Sequence, residues 1–222
     1  MSFVRAVRVL VRTDVVLERR APQLALAMAL FAAVAQVVLH YGADIAQPPV
    51  ALTVGSLWVT LLLATLLAVA RVFNAERDEG LLDALVLAPI PRTAIWAAKA
   101  IAIGVLLVLM EIVAVPLSYL FLPADAPVPQ VGTLVLALIA GDIGLAALGA
   151  LVAAVASAVR GREVMVPLLY LPAAVPLLIA ALACSVHAAN GDSIVRPLAL
   201  VLLYDAIVGL LAYAVCEHAL TD

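Results

Sequence analysis

Six long apolar stretches, separated by short polar segments, dominate the chain: residues 21–39, 50–70, about 100–120, 132–159, 164–186 and 197–216. Crossing the hydrocarbon core of a bilayer takes about 20 mostly apolar residues at 1.5 Å rise per residue. Each stretch is long enough. They are continuously apolar rather than alternating every second residue, so they predict helices and not the strands of a closed barrel. The fifth contains Pro167, Pro172 and Pro176. Three carry a single acidic residue: Glu111 in the third, Asp142 in the fourth and Asp205 in the sixth. The pattern predicts an all-α integral membrane protein, with residues 1–222 forming one transmembrane domain.

Two segments outside the spans have patterns of their own. In residues 1–20, Arg5, Arg8, Arg12 and Arg19 fall within an arc of about 60° at 100° per residue. Phe3, Val4, Val7, Leu10 and Val11 cluster opposite. This predicts an amphipathic helix lying in the membrane interface. Asp14 breaks the apolar arc, which implies that part of the helix packs on protein. Residues 71–99 form the second segment. Asn74 reads as a helix cap, followed by Glu76, Asp78 and Glu79 at the positive end of a helix dipole. Leu81, Leu82, Leu85 and Val86 give a short apolar face, and Pro89 and Pro91 stop the helix. A short cytoplasmic helix between two spans is expected.

Composition sharpens this picture. Of the 222 residues 67% are hydrophobic and only 12% charged, against roughly 45–50% and 25% in soluble domains. Twelve basic residues against fifteen acidic ones leave no excess for nucleic acid. Arg5, Arg8, Arg12, Arg19, Arg20, Arg71, Arg77, Arg92, Lys99, Arg160 and Arg162 all fall on one side of a six-span path, and Arg196 stands alone on the other. Basic residues stay inside, so both termini are expected in the cytoplasm, and the loops at Asp44, Asp125 and Asp192 outside. No cleavable signal peptide is expected, because the first apolar stretch is too long and lacks a cleavage site.

The series Arg71, Phe73, Glu76, Gly80, Leu82, Leu85, Leu87, Pro89, Pro91 and Ala98-Lys99 resembles the E-x-x-x-G-x-L-x-x-L…P-x-P…K hairpin of type V ABC exporter permeases. More narrowly, the chain resembles the haem exporter protein B family (CcmB), the permease subunit of the cytochrome c maturation system. The likeness extends to the basic start, the six spans, Trp58 and the proline-rich fifth span. It implies a permease whose hairpin, through Glu76, Gly80, Leu82, Leu85, Pro89 and Pro91, docks on a separate ATPase subunit. It further implies a haem-handling membrane subunit and a haem chaperone as partners, a second copy of the permease, and a bacterial-type inner membrane.

The chain's own chemistry is sparse. It has no Gly-rich phosphate loop ending in Lys-Ser/Thr, so ATP would be bound by the partner subunit. No C-x-x-C-H, H-E-x-x-H or G-x-S-x-G occurs, and no enzyme activity is expected. Cys184 and Cys216 fall near opposite faces and should not pair. His40, His187 and His218 are scattered near membrane edges and read as interfacial polar caps rather than haem ligands. No cofactor is therefore assigned to this chain, although haem is possible in the complex. Glu111, Asp142 and Asp205 leave two readings open, since a central charge costs about 2.5–3.5 kcal/mol on insertion scales. They form a proton relay, as in a secondary transporter, or they are protonated and hydrogen-bonded to neighbours such as Tyr204 or Tyr119. A structural assembly subunit without a conduction path is a third possibility for the whole chain. Ala146, Ala150, Ala154 and Ala158, with Gly141 and Gly144, make a stripe that permits close helix approach.

Overall fold

The computed structural model describes residues 3–20, 23–45, 48–78, 91–121, 131–157 and 162–218. Among the described residues seven helices follow in order: α1 (Phe3–Arg20), α2 (Gln23–Gly42), α3 (Val50–Asp78), α4 (Arg92–Leu120), α5 (Val131–Ser157), α6 (Arg162–Asn190) and α7 (Val195–His218). No strand occurs among the described residues. Helices α2 to α7 are each long and apolar enough to cross a membrane, as the hydropathy pattern predicts. This is a multi-pass all-helical membrane protein.

The bundle is built around α5, which packs directly on α3, α4, α6 and α7. Of its apolar window 78% is buried, against 17% for α2 and for α7. Helices in lipid gain little by hiding one apolar group from another, so close approach through small residues decides which helix sits inside. The glycines of α5 show the principle directly. A Cβ on Gly141 would strike the Trp58 ring of α3, and one on Gly144 would strike Leu177 of α6 and Asp205 of α7. One on Gly149 would press on Val69. Trp58 is fully buried in the notch above Gly141, and its Nε1 donates to Ser185 Oγ of α6 at 3.1 Å. One indole thus ties three helices. Ala146 and Ala150 of the alanine stripe are buried inside the chain's own bundle.

Two boundaries differ from the sequence expectation. Helix α3 runs unbroken to Asp78, so Asn74 lies within a helix and is not a cap. Residues 71–78 contain no Gly or Pro, and continuing an existing helix adds a hydrogen bond per residue without a new nucleation cost. Helix α4 starts at Arg92, about two turns before the expected residue 100, directly behind Pro91 (φ −58°, ψ 130°). The two arms of the expected hairpin are therefore extensions of the spans themselves. Its tip, residues 79–90, lies outside the described residues. At the opposite end α6 closes in a Schellman turn: Gly191 takes φ +77°, its N–H donates to Ala188 O, and the Asp192 N–H donates to His187 O at 2.8 Å.

Candidate functional site

At the hairpin end, α1 lies against α4. Ala6, Val7, Leu10, Val11 and Asp14 recur at helical spacing on its covered face, while Arg5, Arg8 and Arg12 are exposed. The apolar arc expected from the sequence is divided, because Phe3 and Val4 stay exposed on the other flank. Asp14, the residue that spoiled the arc, points into the protein. Both its carboxylate oxygens accept from Lys99 Nζ, at 3.2 and 3.1 Å. The Lys99 side chain is 4% exposed and that of Asp14 23%. One turn away, Trp96 Nε1 donates to the Ala147 carbonyl of α5 at 3.2 Å. The beginning of α4 is thus fixed to α1 on one side and to the central helix on the other.

Of the six residues expected to dock a partner, Pro91 is exposed at the start of α4 and Glu76 lies in the last turns of α3. Gly80, Leu82, Leu85 and Pro89 fall in the segment outside the described residues.

The three intramembrane acids do not form one cluster. Asp142 is 3% exposed, and the Glu111 carboxyl lies within electrostatic reach of it. Asp205 meets α5 at Gly144. Two residues along a helix turn through about 200°, so Asp142 and Asp205 lie on opposite sides of α5. The hydrogen bonds of the second reading are not formed among the described residues. Among the described residues neither carboxylate oxygen of Asp142 or Asp205 has a partner, nor does Oε1 of Glu111. The expected donor Tyr204 instead donates its O–H to the Ala173 carbonyl of α6 at 2.7 Å.

The end away from the hairpin holds a groove that the sequence did not suggest. It encloses about 360 Å³ and is lined by Gln36, His40, Ser56, Trp58, Phe121 and Leu182, among others. His40 stacks on Phe121 with centroids 4.1 Å apart and planes 10° from parallel. Gln36 and Ser56 of its lining belong to a small polar network: Gln36 Nε2 donates to buried Thr60 Oγ1 at 3.2 Å and Ser56 Oγ donates to Gln36 Oε1 at 3.1 Å. The available signal was Gln36, one of two Gln in the first apolar stretch, and a Ser/Thr pair four apart in the next. His187 Nδ1 sits 3.1 Å from the Ser193 carbonyl. Among the described residues no group of His, Cys, Asp or Glu could hold a metal ion. Cys184 and Cys216 are both free.

Comparison with known proteins adds a family. The model described as "CcmB protein" matches residues 5–221, which takes in α2 to α7 and all but the first two residues of α1. Three curated relatives carry the name "Heme exporter protein B". The protein from Rhodobacter capsulatus is 36% identical over 146 residues, 66% of either chain. That from Paracoccus denitrificans is 38% identical over 125 residues, 56% of either chain. That from Bradyrhizobium diazoefficiens is 35% identical over 129 residues, 58% of this chain and 57% of its own. The matched stretches thus span a little over half to about two thirds of each relative.

Proposed function

The chain belongs to the CcmB protein family, and from that membership we propose that it is the permease subunit of an ABC-type haem exporter driven by a separate ATPase. The observation that carries this reading is the extent of the family match, residues 5–221, which covers every membrane-crossing helix. The relatives' name supplies the cargo class, haem. Within this reading the complex serves cytochrome c maturation in a bacterial-type inner membrane. Both termini are cytoplasmic, a second permease copy lies alongside, and a haem-handling subunit and a haem chaperone are partners.

The geometry suggests how ATP would be used. Glu76, Gly80, Leu82, Leu85, Pro89 and Pro91 form the surface that the ATPase holds. The arms of this hairpin are the last turns of α3 and the first turns of α4, and both helices pack on α5. A displacement of the tip therefore enters two spans at once and reaches the central helix without an intervening loop. Gly80 permits close backbone approach, the leucines fill an apolar cleft, and the prolines stiffen the return to α4. The acids on opposite sides of α5 offer no continuous relay, which weighs against a secondary transporter.

The test is reconstitution. The purified chain in vesicles should hydrolyse no ATP above blank and should move no haem under a proton gradient. Adding the ATPase subunit should produce membrane-bound hydrolysis. Hydrolysis by a homogeneous preparation of the chain alone, or gradient-driven movement without the ATPase, would overturn the proposal.

A further inference from the structure

We propose that the Asp14–Lys99 ion pair is a coupling link: it carries movement of the cytoplasmic hairpin into α1, so that helix and hairpin travel as one unit. The inference rests on the reading above that the hairpin is where the ATPase acts.

The argument begins with an anomaly. Asp14 interrupts the apolar arc of an amphipathic helix, and Lys99 is the single lysine of a chain whose other basic residues are all arginine. Each is misplaced by itself. Together they make a two-pronged contact at 3.1 and 3.2 Å between the first helix and α4, with the ammonium almost entirely covered. Apolar residues of similar size would hold two helices at least as well, because the desolvation of two charges offsets most of their attraction. What a buried pair adds is register. Apolar side chains such as Val7, Leu10 and Val11 can slide past a neighbour with little penalty, but a covered ammonium separated from its carboxylate cannot.

Position gives the register a use. Lys99 follows Pro91 by eight residues, about 12 Å along the helix at 1.5 Å per residue. It therefore sits in the first turns that any push on the hairpin must move. Trp96, on the neighbouring turn, holds the same stretch of α4 to the α5 backbone. Helix α1 leans chiefly on α4 and only slightly on α2, and its last residue, Arg20, is separated from the start of α2 by two residues. A movement of α4 thus passes through the ion pair to α1, and from α1 to the first span. Without the pair α1 would still lie on α4 but would not be obliged to follow it.

The experiment uses the permease assembled with its ATPase in mild detergent. Spin labels at exposed Val9 of α1 and exposed Val155 of α5 report their separation with and without trapped ATP. The wild type should show a nucleotide-dependent change. The double variant Asp14→Asn with Lys99→Met removes both charges of the pair together. It should keep the ATPase bound and keep its thermal midpoint, yet lose the change. Asp14→Glu should retain it, because the charge contact survives. A pair that merely supports the fold predicts the opposite for the double variant: an unchanged nucleotide response, which would overturn the link. A wild type that binds ATPase without any change in separation would also overturn it, and leave the permease reading intact. A wild type that binds no ATPase would defeat that reading first.

Discussion

Helices α5 and α7 have the same mean hydropathy, 2.3, and each carries one intramembrane aspartate, yet 78% of one window is buried and 17% of the other. The hydropathy that commits both to the membrane says nothing about where in the bundle they sit. Residue size does. Along α5, Gly141, Gly144 and Gly149 receive Trp58, Leu177 and Val69 at distances no Cβ would allow. Along α7, Leu200, Leu202, Leu203, Leu210 and Leu211 face outward, and the space beside Gly209 is open. In water the more apolar face goes inside. In lipid both faces are equally content outside, so the smoother helix becomes the centre.

The comparison can be broken most severely at Trp58. Replacing it with Ala empties the notch over Gly141 and removes the hydrogen bond to Ser185, and should lower stability in detergent by about 3–5 kcal/mol. Chemical unfolding followed by helix content is the check. A smaller effect separates the two helices directly. Gly141→Val forces a branched side chain into the indole and should cost about 1–3 kcal/mol. Gly209→Val on α7 meets nothing and should stay within about 0.5 kcal/mol of the parent. Equal losses at the two glycines would mean that α5 owes its central place to something other than its small residues.

The same contrast explains what the sequence made legible. Six membrane helices follow from length and hydropathy alone. The alanine and glycine stripe on the fourth span was visible too, but a stripe does not name its neighbour; only the packing of Trp58, Leu177 and Val69 shows that it faces the chain's own core. The end of α3 was misread because acidic residues after Asn74 suit a first helical turn and a helix interior alike. The three acids looked like one group, since sequence reports their depth in the membrane but not their angle about it. Asp205 reaches α5 at Gly144 while Asp142 leaves it on the other side. Asp14 is the instructive case. As an exception to the amphipathic pattern it marked a contact with protein, but its partner, 85 residues later, left no local signal. The groove lined by Gln36 and Ser56 was hidden for the same reason.

The central claim is that a separate ATPase grips this chain by its hairpin, and co-purification from mild detergent tests it most directly. The wild-type chain should bring the ATPase with it. Leu82→Asp should insert in the membrane normally but lose that partner. Forfeiting the burial of a leucine costs roughly 1.5–3 kcal/mol, and an unpaired carboxylate in an apolar cleft adds to it. Association should therefore weaken at least about a hundredfold, at 1.4 kcal/mol per factor of ten. Leu82→Asp retaining the ATPase at wild-type stoichiometry would contradict the account.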